Sequence, residues 1–374
     1  MKVLFFSDNT SDHNRRFLQK LSEAGLEVWF LDPTSDHLTE NWLPDGVRWI
    51  RTDQKVRRDA EPVAFAEFLP EFRGWLKEIQ PDLVHAGPTH SSGYVTALSE
   101  FHPWLLTSWG SDVLYQVEQG PQWKQATQLA LSSADGFFCD CDAVRARAKQ
   151  LADVQDNSIV QLPWGIAKGS FTPDGAQPEE REFSREAGTK VLISTRSWEP
   201  LYGIGVLLEA FRQAHRVDPS LRLLLLGNGS QATQVHEFIS AHGLIRAIRI
   251  PGHVCRQDIP RWFRAADVYV SCSQSDGTSV SLLEAMATGL PVVVTDLLSN
   301  REWVSEGENG WLARADSAEE FADRILRAIG LIPQARNLLA QRNRRIVEER
   351  ADWDRNFPRL LKMYQQLTGA QAGR

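Results

Sequence analysis

Only four of the 374 residues are cysteine (Cys139, Cys141, Cys255 and Cys272), and their placement excludes two common uses. Cys139 and Cys141 flank Asp140, too close together for a structural zinc pair, and neither Cys255 nor Cys272 has a second Cys or His at ligand spacing. Buried free thiols in a reducing compartment are the expectation. Basic residues are also in deficit. The 41 Lys and Arg against 48 Asp and Glu leave a net charge of −7, which excludes general nucleic-acid binding because that needs a basic footprint. Short basic clusters, Lys55-Val56-Arg57-Arg58 and Arg145-Ala146-Arg147, read as solvated faces. No apolar run approaches membrane-spanning length, and the apolar start breaks at Ser7-Asp8-Asn9, too short for a signal peptide. A cytoplasmic location is expected.

What is present is the balance of a soluble globular protein, 42% hydrophobic and 24% charged, at a length that exceeds one ordinary domain. Short apolar runs alternate with amphipathic stretches, the pattern of parallel sheets wrapped by helices. Strands are expected at 2–6, 27–31, 47–51, 82–85, 104–107, 136–139 and 158–162, and again at 190–195, 221–226, 247–251, 267–271 and 291–295. A helix over 14–24 places Phe17, Leu18 and Leu21 on one face. Between the two series, 171–188 holds Pro173, Asp174, Gly175, Pro178 and a charged run with little to bury, and reads as a linker. Two doubly wound α/β domains are expected, 1–170 and 189–354, each able to bind a ligand at the carboxyl edge of its sheet. Two substrates would meet in the cleft between them. Beyond Asp316 the chain reads as helix. Tryptophan is abundant, and Trp29, Trp49 and Trp104 fall in strands, where they read as core.

Chemistry concentrates after the strand at 267–271, in Ser273-Gln274-Ser275-Asp276-Gly277-Thr278-Ser279-Val280-Ser281-Leu282-Leu283-Glu284-Ala285-Met286-Ala287. A turn of small residues gives way to a helix opening near Ser279, whose unpaired N–H groups and positive dipole end suit an anion. Gly277 permits close backbone approach. Asp276 lies just before the helix and Glu284 about one and a half turns inside it, so the two acids can bracket a ligand whose phosphates rest on the helix end. Read singly each is ordinary, Asp276 a capping or turn acid and Glu284 a solvated helix residue.

This segment resembles the donor-binding motif of the retaining glycosyltransferases of family 4. That motif is an acid, seven residues and Glu, then Ala-Met-Ala, Gly and Pro-Val-Val. Here the positions are Asp276, Glu284, Ala285-Met286-Ala287, Gly289 and Pro291-Val292-Val293. Asn309-Gly310-Trp311-Leu312 resembles the family's next element. The resemblance implies the GT-B fold, two Rossmann-like doubly wound domains facing each other across a cleft, with the helix at 355–374 joining the first. It implies Asp276 on the hydroxyls of the transferred sugar, Glu284 on the ribose, and the amides of Gly277, Thr278 and Ser279 on sugar and diphosphate. Arg196, at the end of the second domain's first strand, resembles the family's diphosphate-binding Arg. Gly227, Gly229, His253 and Val254 would line the nucleotide pocket. Gly227 to Ala232 also matches G-x-G-x-x-A, but the acid that a dinucleotide site needs is missing, since 247–251 runs into Gly252-His253-Val254.

Three positions depart from the family. Asp276 is one methylene shorter than the usual Glu. Tyr202 stands where a second cation, Lys, is usual, which makes Arg301 the candidate replacement. Trp109, in Ser108-Trp109-Gly110-Ser111-Asp112, stands where the family has His. The first loop, from Ser7 to Asn14, lacks the family's glycines. Candidates on the acceptor side are His85, His90, Trp109 and Asp12, with Asp112 joining Asp276 and Arg196 as the catalytic set. The implied function is a retaining, hexosyltransferase-type transfer from a nucleotide-diphosphate sugar to a hydroxyl acceptor, which could be a sugar, lipid-linked glycan, protein or small molecule. Such a reaction serves glycan, polysaccharide or glycolipid synthesis and needs no cofactor and no metal. Asp140-Cys141-Asp142 fits Asp-x-Asp but falls at a strand-to-helix junction rather than in a metal-binding loop. A peripheral contact at the inner membrane face is left open, as are base, sugar, acceptor and oligomeric state. The competing readings are a GT-B-fold sugar-nucleotide epimerase, a catalytically idle nucleotide-sugar-binding protein, and a nicotinamide-dependent oxidoreductase using Gly227 to Ala232.

Overall fold

The computed structural model describes residues 1–35, 42–166, 169–179, 186, 188–252 and 254–369. The chain forms two compact units, Met1–Trp164 with Arg355–Arg374, and Gly165–Asp354.

The first unit carries β1 (Lys2–Ser7), β2 (Glu27–Leu31), β3 (Val47–Ile50), β4 (Leu83–Gly87), β5 (Trp104–Thr107), β6 (Gly136–Cys139) and β7 (Ile159–Gln161). They form one parallel sheet in the order β3-β2-β1-β4-β5-β6-β7. Helices cover both faces, so the central strands are buried throughout and read as continuous apolar runs. Alternate residues serve opposite layers. Leu4, Phe6, Val84, Ala86 and Leu106 pack with Phe65, Phe68 and Phe72. Phe5, His85 and Phe138 meet Phe17 of the helix Asp12–Glu23, which Ser11 opens by accepting from Asn14 N. The helix Trp353–Thr368 brings Tyr364 to His85. Trp104 is core, but Trp29 and Trp49 are only half-buried, lying beneath the guanidinium groups of Arg48 and Arg51 at 5.0 and 5.2 Å.

The second unit carries β8 (Lys190–Ser194), β9 (Leu221–Leu225), β10 (Ile248–Arg249), β11 (Val268–Ser271), β12 (Val292–Thr295) and β13 (Gly310–Ala313), again parallel, in the order β10-β9-β8-β11-β12-β13. The expected strand at 247–251 contracts to two residues at the sheet edge. β13 was not expected as a strand: it is short and opens on Gly310. That glycine lies so close to β12 that a Cβ would come within 2.8 Å of Val292 O. Leu192 and Val270 pack beneath the amphipathic helices Ile204–Val217 and Ala318–Ile329, while Val191, Ile193 and Tyr269 meet the helix Val280–Ala287 on the other face.

Both sheets reverse direction beside their first strand, between β1 and β4 and between β8 and β11. At such a switch point the loops that follow the two strands splay apart and leave room for a ligand. Asp8 and Ser91 follow β1 and β4, and Arg196 and Asp276 follow β8 and β11. Among the described residues, which include all four cysteines, there is no disulfide; three of the four are buried, but Cys255 is exposed in the loop after β10, against the expectation for it. Among the described residues no helix is long and apolar enough to cross a membrane.

Candidate functional site

The second unit's switch point is built around one arginine. β8 ends two residues before Arg196, and β11 leads into the turn that carries Asp276. Ser279 is the N-cap of the helix Val280–Ala287, its Oγ accepting from Leu282 N at 3.4 Å. Arg196 Nη2 meets Asp276 Oδ2 at 2.8 Å, both side chains being under a fifth exposed. Arg196 Nη1 donates to Ser279 Oγ at 3.0 Å and Ser281 Oγ at 3.3 Å, and Ser281 Oγ in turn bonds Tyr269 Oη at 2.7 Å. Burial raises the Asp276 carboxyl pKa, and the neighbouring Arg196 charge and the Ser279 hydrogen bond oppose that rise. The Asp276 carbonyl accepts from Ser299 Oγ at 2.8 Å, which fixes the turn. Thr278 and Gly277 are buried beside it.

Tyr202 explains itself here. Its ring lies 4.2 Å from Arg196 Cζ, so where the family has a second cation this chain has an aromatic shelf for the first. The loop that carries Tyr202 is pressed against the end of β11: a Cβ on Gly203, at φ +61°, would sit 2.1 Å from Cys272 O, and Gln274 N donates to Leu201 O. Arg301, the candidate replacement cation, meets a different acid. It is more than half exposed and held by Asp296 through Nε–Oδ1 at 2.5 Å and Nη2–Oδ2 at 2.7 Å.

A cavity of about 420 Å³ lies beside this cluster, lined by Thr195, Trp198, Asn228, Ile250, Val254 and Ile259 among others. Gly227 and Gly229 make its wall possible. A Cβ on Gly227, at φ +110°, would lie 2.6 Å from Arg196 O, and one on Gly229 would lie 2.5 Å from Trp198 O. The two loops are laced by Trp198 N to Asn228 O and Gln231 N to Trp198 O, both at 2.9 Å. His253 lies outside the described residues. Glu284 is buried, not solvated, and its Oε1 accepts from Arg256 Nη2. Nothing in the sequence singles out Arg256 from Arg249, Arg261 and Arg264 around it. Trp198, Arg256 and Ser281 are the members of this site that sequence reasoning missed.

In the first unit the expected residues separate. His85 is mid-strand and buried, its Nδ1 against Tyr364 Oη and its Nε2 against Thr107 Oγ1. Burial lowers its pKa to about 3, so it is a neutral core residue rather than a ligand at the sheet edge. Asp12 is an exposed first residue of its helix, where an acid suits the dipole. Asp112 accepts from Thr89 N, Ser108 Oγ, Trp109 N and Val113 N at 2.6–3.0 Å; it ties two loops together, and its oxygens are taken. Burial raises its carboxyl pKa, against those hydrogen bonds. Trp109 stacks on Trp164, centroids 4.7 Å apart and planes 10° off parallel. His90 is buried against Trp123, with its pKa lowered to about 4 by burial and its Nδ1 without a hydrogen-bond partner among the described residues. The residue not foreseen is Asp8, whose Oδ2 accepts from Ser91 Oγ at 2.7 Å and whose pKa burial raises to about 6.

Two family models cover most of the chain. Residues 2–141 match the model described as "Glycosyl transferase 4-like", and residues 176–345 match "Glycosyl transferases group 1". Among curated relatives, a phosphatidyl-myo-inositol mannosyltransferase of Mycolicibacterium smegmatis is 28% identical over 96% of this chain and 90% of its own. A D-inositol 3-phosphate glycosyltransferase of Saccharomonospora viridis is 26% identical over 66% of this chain and 59% of its own. Among solved structures, sucrose-phosphate synthase from Thermosynechococcus elongatus superposes with a TM-score of 0.85 at 18% identity, covering 99% of this chain and all of that one. Anabaena HepE in complex with UDP-glucose gives a TM-score of 0.77 at 20% identity, over 99% of this chain and all of that one. The chain thus belongs to the family 4-type glycosyltransferases and is an enzyme of the hexosyltransferase class with the GT-B fold.

Proposed function

We propose that the protein moves a hexose from a nucleoside-diphosphate sugar to a hydroxyl acceptor, with retention of anomeric configuration and without a metal ion. The observation that carries this reading is Arg196, fixed between Asp276, Ser279, Ser281 and Tyr202 at the opening of the helix Val280–Ala287. Glycosyl transfer expels a diphosphate while positive charge grows on the sugar ring, so fixed donors where the phosphates depart lower the barrier. Arg196 and the helix-end amides of Gly277, Thr278 and Ser279 are those donors, and they supply positive charge that a metal would otherwise provide. Asp276 orients the sugar through its hydroxyls. Glu284, held by Arg256, takes the ribose, and the neighbouring cavity, with Trp198 and Asn228 in its wall, takes the base.

Retention rests on the likeness of the motif to that of the retaining family. The names of two relatives, which act on phosphatidyl-myo-inositol and on D-inositol 3-phosphate, support a polyol hydroxyl as acceptor and, in the first case, a peripheral contact with a membrane face. The HepE complexes make a uridine nucleotide the first donor to try. In this reading the enzyme works in the cytoplasm.

The test is a thermal-shift screen of UDP-, GDP- and ADP-sugars, followed by NMR of the product anomer with and without EDTA. A bound donor raises the melting temperature in proportion to its affinity. One donor should do so, less in Glu284→Gln, and yield the same anomer as the donor at an EDTA-insensitive rate. An inverted anomer or a rate abolished by EDTA would refute the finer reading.

A further inference from the structure

We propose that Asp276 makes the site prefer a nucleotide that still carries its sugar over the nucleoside diphosphate left after transfer, by competing with the diphosphate for one edge of Arg196. The inference rests on the reading of Arg196 as the diphosphate ligand. Nε and Nη2 of a guanidinium point the same way and form the fork that grips an anion bidentately. In Arg196 this fork is half used: Nη2 holds Asp276 Oδ2 at 2.8 Å, while Nε is buried with no hydrogen-bond partner among the described residues. The other nitrogen, Nη1, is occupied by Ser279 and Ser281, and the ring of Tyr202 lies under the plane. The guanidinium is therefore fixed, and the Nε–Nη2 edge is where a partner can exchange.

A phosphate and the Asp276 carboxylate are both anions that seek this edge, and at contact distance they repel each other. A sugar nucleotide resolves the conflict. Its phosphate takes Arg196 while its sugar hydroxyls donate to Asp276, so neither buried charge is left alone. A nucleoside diphosphate brings no such hydroxyls, and taking Arg196 would leave buried Asp276 without its counter-charge, keeping only the hydrogen bonds from Ser279 and the Gly277 amide, which is costly. After transfer the carboxylate returns to Arg196 and the product leaves.

The experiment is calorimetric binding of inorganic pyrophosphate, the diphosphate alone, to the full chain and to Asp276→Asn, Arg196→Gln and the double variant, each checked by thermal melting. Asp276→Asn should bind pyrophosphate tighter, on the order of tenfold. In the Arg196→Gln background the same substitution should bring no gain. An equal gain in both backgrounds would mean that Asp276 acts only as a nearby negative charge, and no gain in either would mean that it does not compete; each overturns the inference while nucleotide binding stands. Absence of pyrophosphate and nucleotide binding in every variant overturns the reading of Arg196 as well. A measurement on the unmodified protein does not depend on how the variants fold: the nucleoside diphosphate should bind more weakly than the sugar nucleotide that contains it, and the reverse order overturns the inference.

Discussion

The two units share a strand order and therefore a switch point, yet each bridges it differently. Across β1 and β4 a neutral donor meets an acid, Ser91 Oγ to Asp8 Oδ2 at 2.7 Å, with Asn9 Nδ2 donating to Asp8 Oδ1 at 3.1 Å. Across β8 and β11 a cation meets an acid, Arg196 Nη2 to Asp276 Oδ2 at 2.8 Å. The surroundings follow the same division. Asp112 is filled by backbone and hydroxyl donors and His85 is enclosed by Tyr364 and Thr107, whereas the Arg196 cluster borders a cavity of about 420 Å³. Position in the topology alone does not make a charged-ligand site. At the second crossing the acid is paired directly with a cation, whereas at the first it is held by hydroxyl and amide donors.

Substitutions can break or sharpen this contrast. Arg196→Ala should have the largest effect, lowering kcat/KM for transfer by roughly 10²–10³-fold in steady-state kinetics, with a lower melting temperature as well because buried Asp276 loses its counter-charge. Asp112→Ala should act on stability alone. Four donors lose their acceptor, so denaturant unfolding should show a loss of roughly 2–4 kcal/mol, while the folded fraction still binds nucleotide sugar.

Asp8→Asn should be smaller and depends on pH. The Asp8 carboxyl pKa is raised by burial from 3.8 to about 6, so the fold favours its protonated form. That contribution is fully present below the unfolded value near 3.8 and is lost as pH rises through about 6. Replacing the acid by an amide should therefore stabilise the protein at pH 7.5, by roughly 1–2 kcal/mol after allowing for altered hydrogen bonds, and bring no gain at pH 4. Melting curves across that range decide it. Arg301→Ala, at an exposed residue paired only with Asp296 among the described residues, should leave turnover and melting unchanged within error.

Much of this was legible in the sequence because its patterns are local. The alternation of apolar runs gives both sheets, and the turn from Asp276 into a helix capped by Ser279 is written in consecutive residues. What escaped depends on distant parts of the chain. His85 has a strand-end look, but Tyr364 from the last helix and Thr107 from β5 enclose it. Tyr202 reads as a lost cation until Arg196 is seen above its ring. Arg256 reaches Glu284 from a loop 28 residues earlier. Asp8 is one acid in a polar loop and has no signature until Ser91, beyond the end of β4, closes on it.

The most direct test of the contrast is hydrogen–deuterium exchange of the full chain with and without a saturating sugar nucleotide from the screen. Protection should centre on 195–202, 226–231 and 274–284 in the second unit. Protection centred instead on 86–91 and 107–113, with the Arg196 and Asp276 segments unchanged, would contradict the placement of the nucleotide site.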